Sequence, residues 1–316
     1  MENQSVFRLF LYVFLYVAAK PGGNATKKDT AMKWRGNRES DNVEDRRGSR
    51  GIGLGGGSIG IGTIAIALVA SYFFGIDPGV VLSMLGGGPA SVQQAPARQP
   101  PADDDMARFV ATVLADTEDT WSAIFRDGGA SYPKPKLVLF SGQTPTACGT
   151  GQSAAGPFYC PGDQKIYIDL SFYRLMQQRF KVSGEFAQAY VIAHEVGHHV
   201  QNVMGVMEKV DGARRRTSQA QANALSVRLE LQADCFAGVW ANHADRARSI
   251  LETGDIETAL NAASAIGDDA LQRQTQGQVV PDSFTHGSSA QRVRWFKRGI
   301  ESGKVSACNT FEAQAL

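Results

Sequence analysis

This 316-residue chain has little cysteine and almost no excess charge. Four cysteines are far too few for a fold assembled from disulfides. Thirty-two Lys and Arg stand against 31 Asp and Glu, a net charge of +1, and this excludes a protein that coats nucleic acid, whose footprint is a strong basic excess. Internal repeats, a Gly-X-Y period and heptad arrays are all absent from the sequence, so solenoids, collagen and long coiled coils are excluded. What is present is 43% apolar and 20% charged, the balance of a largely globular chain with ample length for a buried core.

The composition is uneven. Val6 to Ala19 is an apolar run broken by Arg8, nearer in length to a signal-peptide core than to a membrane span, and no clean small-residue cleavage site follows it. Residues 1–31 are therefore set apart as an N-terminal extension, read either as a real hydrophobic N-terminus or as sequence ahead of a translation start at Met32. Residues 32–50 mix charges of both signs with nothing to bury and are expected as a solvated cytoplasmic tail. Residues 51–75 carry no charge, long enough to cross a hydrocarbon core of about 30 Å as one transmembrane helix, with Tyr72, Phe73 and Phe74 at the level of an interfacial aromatic belt. A glycine-rich buried hairpin is the competing reading of this segment. Arg46, Arg47 and Arg50 precede it and no Lys or Arg follows until Arg98, so the positive-inside rule predicts a single-pass protein whose later chain is periplasmic or extracellular. Residues 76–105, rich in Gly, Pro, Ala and Gln, read as a flexible linker.

Residues 106–316 read as one domain. Asp103, Asp104 and Asp105 place acids at the positive end of a helix whose apolar positions run from Met106 to Phe125. Lys136–Phe140 and Lys165–Leu170 read as strands, and beyond residue 171 the pattern is almost wholly helical, punctuated by Gly205, Gly254, Gly267 and Gly277. The expected fold class is α+β, mainly helical, with a small β-sheet.

The helix predicted over residues 185–203 contains His194-Glu-Val-Gly-His198, the pattern H-E-x-x-H. Residues four apart share a helical face, so His194 and His198 reach one metal ion, and neutral imidazoles suit Zn²⁺. Glu195 projects beside that ion, where a general base toward a metal-activated water stands. His199 lies about 100° further round and belongs to packing or support. A catalytic zinc takes three protein ligands. The extended pattern H-E-x-x-H-x-x-G-x-x-H fails here, because it falls on Gln201 and Met204. Glu230 and Asp234 share one face of an otherwise apolar helix, and buried carboxylates are costly unless paired or metal-bound. Glu230 is the expected third ligand and Asp234 the acceptor for a ligating histidine, with the swapped assignment open.

These segments resemble the neutral zinc metallopeptidase family, membrane-anchored bacterial proteins of the zincin type. The resemblance runs from Met32 onward through Lys33–Gly48, Gly156–Pro161, Lys165–Leu170, His194–Gln201 and Glu230–Asp234. It implies a zincin-like metallopeptidase domain with one zinc ion and the hydrolysis of peptide bonds. A looser similarity reaches the integral-membrane prenyl-protein peptidases, which add a later Thr-His segment with a downstream Arg. Thr285, His286 and Arg292 occupy those places, with Gly287 where a proline is expected. That likeness implies His286 as a donor to the developing oxyanion. The alternative is that Ser288 or Ser289 caps the last helix and His286 merely precedes it.

Cys148 and Cys160 flank a Gly/Ser-rich loop, and in an oxidising compartment a disulfide there staples it, leaving Cys235 and Cys308 as the second pair. Four cysteines allow three pairings, so the sequence leaves this open. The expected function is a membrane-anchored zinc endopeptidase acting on protein or peptide, with the strand Lys165–Leu170 expected to hold an extended substrate by edge pairing, the membrane a partner through one transmembrane helix, and nucleic acid none. A zinc-stabilised envelope scaffold without turnover is the alternative, and a metal-free helical interaction module a third.

Overall fold

The computed structural model describes residues 32–48, 98–153, 156–179, 181–182, 184–276 and 279–316. The expected membrane helix at 51–75, the extension at 1–31 and most of the linker lie outside these. Among the described residues no helix is long and apolar enough to cross a membrane.

Four strands form one sheet in the order β1-β2-β6-β5, where β1 is Val43–Asp45, β2 Lys136–Phe140, β5 Phe158–Cys160 and β6 Lys165–Asp169. β1, β2 and β6 run parallel, and β5 returns antiparallel to β6. Between them β3 (Gln143–Thr146) and β4 (Gly149–Gln152) make a separate hairpin. β2 and β6 read as near-continuous apolar runs because both of their faces are covered. Leu137, Leu139, Ile166 and Ile168 face the main core with the helices. Val138, Phe140, Tyr167 and Cys160 form a smaller cluster with Phe158, which stacks on Tyr167 at 5.0 Å.

The helices are α1 (Asp105–Asp127), α2 (Ser171–Arg179), α3 (Glu185–Val203), α4 (Val206–Arg214), α5 (Gln219–Arg248), α6 (Asp255–Ala265), α7 (Asp268–Gln276) and α8 (Ser289–Ser302). Asp104 caps α1 by accepting from Ala107 N, as the run of aspartates predicts. The 30-residue α5 begins at a reciprocal cap between Ser218 and Gln221. Gly299 on α8 faces α5 so closely that a side chain there would overlap the Cys235 carbonyl, so only glycine allows the two helices to meet.

Two expectations are corrected. Residues 32–48 are not a solvated tail. Met32, Trp34 and Val43 are buried, β1 pairs with β2, and Lys33 N donates to Ile250 O at 3.0 Å. The buried Glu118 of α1 gathers this segment, accepting from Ser40 Oγ, Asn42 Nδ2 and Arg38 Nη2. The charges of the segment are thus largely paired rather than solvated, and the domain begins well before residue 106. The second correction concerns Lys165–Leu170, read in the sequence as a strand whose edge could pair with an extended substrate. β6 lies between β2 and β5, so both its edges are taken, and among the described residues β5 is the edge strand on that side of the sheet.

Both disulfides pair as the simplest reading has it, Cys148–Cys160 and Cys235–Cys308. The first ties the β3–β4 hairpin to β5. The second ties α5 to the short 3-10 turn Val305–Cys308 near the C-terminus.

Candidate metal centre

The site is built where α3 crosses α5. A Cβ at Gly197 would stand 3.0 Å from the Ala233 carbonyl, so the small residue inside H-E-x-x-H is what lets α3 settle between Glu230 and Asp234 of α5. His194, Glu195 and His198 on α3 are all buried, and Asp234 is fully so.

His194, His198 and Glu230 each offer a ligand atom, and these atoms lie within 4.8 Å of one another. His194 Nε2 is 3.2 Å from Glu230 Oε2, and His198 Nε2 is 3.5 Å from Glu230 Oε1. Two ligands on a tetrahedral zinc at about 2.0–2.1 Å stand about 3.3 Å apart. The separations are those of ligands sharing one ion as well as those of weak hydrogen bonds. Both imidazoles turn Nε2 to this point and give Nδ1 to something else: His194 Nδ1 to Asp234 Oδ1 at 2.8 Å, His198 Nδ1 to Gln201 Oε1 at 2.9 Å. Two nitrogens and a carboxylate, with each imidazole oriented from behind, fit Zn²⁺.

The electrostatics agree with that fit. Burial alone would lower the pKa of His194, yet Asp234 and Glu230 raise it to about 10. Burial opposes charge on His198 too, and Glu230 outweighs it. Glu230 is held well below its ordinary value by His198 and His194 against the cost of burial. Even without a metal, the pocket stabilises positive charge at the point where the three ligand atoms converge. Glu195 is pushed up, chiefly by burial, the direction that makes a carboxylate a better proton acceptor.

Asp234 is placed behind the centre. It accepts from His194 Nδ1, from the Tyr190 hydroxyl and from Arg292 of α8. Burial would raise its pKa, but Arg292 and His194 hold it at about 2. His199 takes no part in the triad. Its Nε2 lies 2.6 Å from the Pro133 carbonyl, which can only accept, so Nδ1 is the acceptor for the Tyr159 hydroxyl at 3.1 Å. Asn202 Nδ2 donates to the same hydroxyl at 3.0 Å, and this chain fastens β5 to α3.

A cleft of about 520 Å³ opens over the triad, lined by His194, Glu195, His198 and Glu230 with His286 and Arg292. Phe172, Leu175, Met207 and Leu229 supply apolar walls, and Phe158 and Tyr159 of β5 form one rim. The segment before α8 does two things at once. Ser288 caps α8 in a reciprocal arrangement with Gln291, while His286 lines the cleft. Asp268 at the start of α7 holds His286 there, accepting from the backbone N of Thr285, His286 and Gly287 at 2.7, 2.6 and 3.1 Å, and lying 3.2 Å from His286 Nδ1. This hydrogen bond raises the His286 pKa.

The structure thus brings His194, Glu195, His198, Glu230, Asp234 and His286 into or against one cleft. The four cysteines lie outside it. Tyr190, Gln201 and Asp268 are additional residues that the sequence reading did not single out. Tyr190 stands four before His194, on the same helical face, and Gln201 three after His198, so helical spacing carried a signal for both. Asp268 meets His286 only through tertiary packing.

The family model described as "Putative neutral zinc metallopeptidase" matches residues 32–311. The chain is 53% identical over 288 residues to the protein YpfJ of Escherichia coli K12, covering 89% of this chain and 99% of that one. It is 40% identical over 261 residues to Rv2575 of Mycobacterium tuberculosis, covering 78% and 86%. Both relatives are themselves described as uncharacterized. No solved structure matches the chain.

Proposed function

Because the chain belongs to this neutral zinc metallopeptidase family, we propose that it is a zinc-dependent endopeptidase. The observation that carries this reading is the spacing of His194 Nε2, His198 Nε2 and the two Glu230 oxygens at 3.2 and 3.5 Å, with Glu195 beside them in an open cleft. His194, His198 and Glu230 would hold one zinc ion, which when bound polarises a scissile carbonyl and lowers the pKa of water. Asp234 orients His194. Glu195 takes the proton of the attacking water and delivers it to the leaving amine. His286 donates to the oxyanion as the carbonyl becomes tetrahedral. The outer edge of β5, unpaired among the described residues, offers backbone N–H and C=O groups to an extended peptide, the economical way to hold many sequences by main chain alone. The two disulfides support an oxidising, extracytoplasmic compartment, and the uncharged segment 51–75 supports association with a membrane.

The test uses the full chain in wild-type and Glu195→Gln forms, with zinc measured by elemental analysis and cleavage measured on an unfolded protein. One zinc in both forms, with cleavage in wild type alone, is the expected result. Zinc in both forms with cleavage in neither would favour the scaffold. Wild-type protein without zinc would overturn the ligand assignment.

A further inference from the structure

Gln201 lies one turn beyond His198 on α3 and is 0% exposed. Its Oε1 is 2.9 Å from His198 Nδ1. Its Nε2 is 2.6 Å from the Leu229 carbonyl and 3.2 Å from Gln232 Oε1. A backbone carbonyl only accepts, so the NH₂ end of the Gln201 amide faces Leu229 and the oxygen faces the imidazole. An amide oxygen cannot donate, so the proton between the two side chains belongs to His198 Nδ1. That leaves the lone pair on Nε2, the atom turned toward Glu230. The orientation is anchored further back. Gln232 Nε2 donates to the Cys308 carbonyl at 3.0 Å, and Cys308 is crosslinked to Cys235 on the same helix as Glu230.

We propose that Gln201 is a positioning residue for the metal centre: it fixes the tautomer and the ring plane of His198. The inference rests on reading His194, His198 and Glu230 as metal ligands. It also explains why the two histidines are supported differently. His194 leans on a carboxylate, Asp234, whose charge Arg292 neutralises. His198 leans on a neutral amide, whose hydrogen bonds among the described residues go to the imidazole, the Leu229 carbonyl and Gln232. A carboxylate at 201 would be buried against the Leu229 carbonyl, two acceptors facing each other.

The experiment uses the full chain, ¹⁵N-labelled and zinc-loaded. Long-range ¹H–¹⁵N correlation spectra report which ring nitrogen of each histidine carries the proton, and competition with a chelator reports zinc affinity. The expected spectrum has His198 protonated on Nδ1 and bound through Nε2. Gln201→Leu should bind zinc 10–100-fold more weakly, as loss of a partner behind a ligand does. Gln201→Glu keeps an oxygen toward the ring but sets its other oxygen against the Leu229 carbonyl, so it should lose stability yet bind zinc more tightly than Gln201→Leu. His198 bound through Nδ1 in wild type overturns the proposal even if neither variant folds, and so does an unchanged affinity in folded Gln201→Leu. Wild type that takes up no zinc overturns the metal centre and this role together, and zinc content tells that failure from a failure of Gln201 alone.

Discussion

Arg292 grips Asp234 with Nε and Nη2, each 2.9 Å from a different carboxylate oxygen, and the water that would otherwise solvate both charges is gone: the two residues are 3% and 0% exposed. The pair joins α8 to α5 directly behind His194. Removing one partner of a buried ion pair strands the other, which costs about 3–5 kcal/mol. Arg292→Leu is expected to lose stability of that order in urea unfolding and to weaken zinc binding. Adding Asp234→Asn should restore part of the stability and none of the zinc affinity. Equal zinc affinity in wild type and Arg292→Leu would show that the pair is structural only.

His286 sits at the cleft with its pKa raised by the hydrogen bond to Asp268. The cation is the form favoured, so His286 keeps its proton to a higher pH than an ordinary histidine. Asp268→Asn removes the charge that favours the cation, and the alkaline limb of kcat/KM should move to lower pH. His286→Ala should lower kcat by about 10²–10³-fold, the usual loss of one oxyanion donor, with zinc content unchanged. A kcat close to wild type in His286→Ala would leave the residue with no part in turnover.

Much of the site was legible because its signals are local. α3 spans Glu185–Val203, the span predicted from the sequence, and the ligand pair on it needs only the pitch of a helix. β2 and β6 were legible as short apolar runs between breakers. What escaped was set by partners far away in sequence. Val43-Glu-Asp45 has a single apolar residue and reads as loop, and it becomes a strand only against Leu137–Leu139. Arg46 and Arg47 read as the basic flank of a membrane helix, yet Arg47 is bound by Asp45 and Asp104, and Arg46 pairs with Glu44. No periodicity announces that β6 is an inner strand and β5 the edge.

The two disulfides should differ in how they respond to reductant. Cys148 lies in an exposed turn, whereas Cys235 and Cys308 are fully buried. A mild reductant should therefore open Cys148–Cys160 first, as thiol trapping followed by mass spectrometry would read. By chain entropy, loss of the short crosslink should cost ~3 kcal/mol and loss of the long one ~4 kcal/mol. Because Cys160 belongs to β5, Cys148→Ser should raise KM for a peptide substrate and leave zinc bound. An unchanged KM would argue against β5 as the strand that receives substrate.

Asp255, at the start of α6, has its pKa raised to about 6, first by burial and then by the nearby charges of Glu252, Glu185 and Glu257, while a hydrogen bond from Glu252 N opposes the rise. The folded state holds this proton more tightly than the unfolded chain. Its contribution is complete below about pH 4 and is lost as pH rises through 6, up to ~3 kcal/mol by neutrality. Asp255→Asn should remove that slope, so the stability difference between variant and wild type grows from pH 4 to pH 7 in the variant's favour. A difference that stays flat over that interval would refute the assignment.

The pairing of β1 with β2, and the bridge that joins Asp45 to Arg98 through backbone hydrogen bonds of 2.7 and 3.4 Å, have a topographical consequence. A hydrogen-bonded sheet is one body, and a lipid bilayer cannot run through it. Whatever compartment holds the cleft also holds residues 32–48, so the described residues on either side of the stretch from 49 to 97 stand on the same shore. Reporters inserted beside Gly36 and at Leu316 should therefore give the same answer in a compartment assay, unlike the opposite answers of a chain that crosses once.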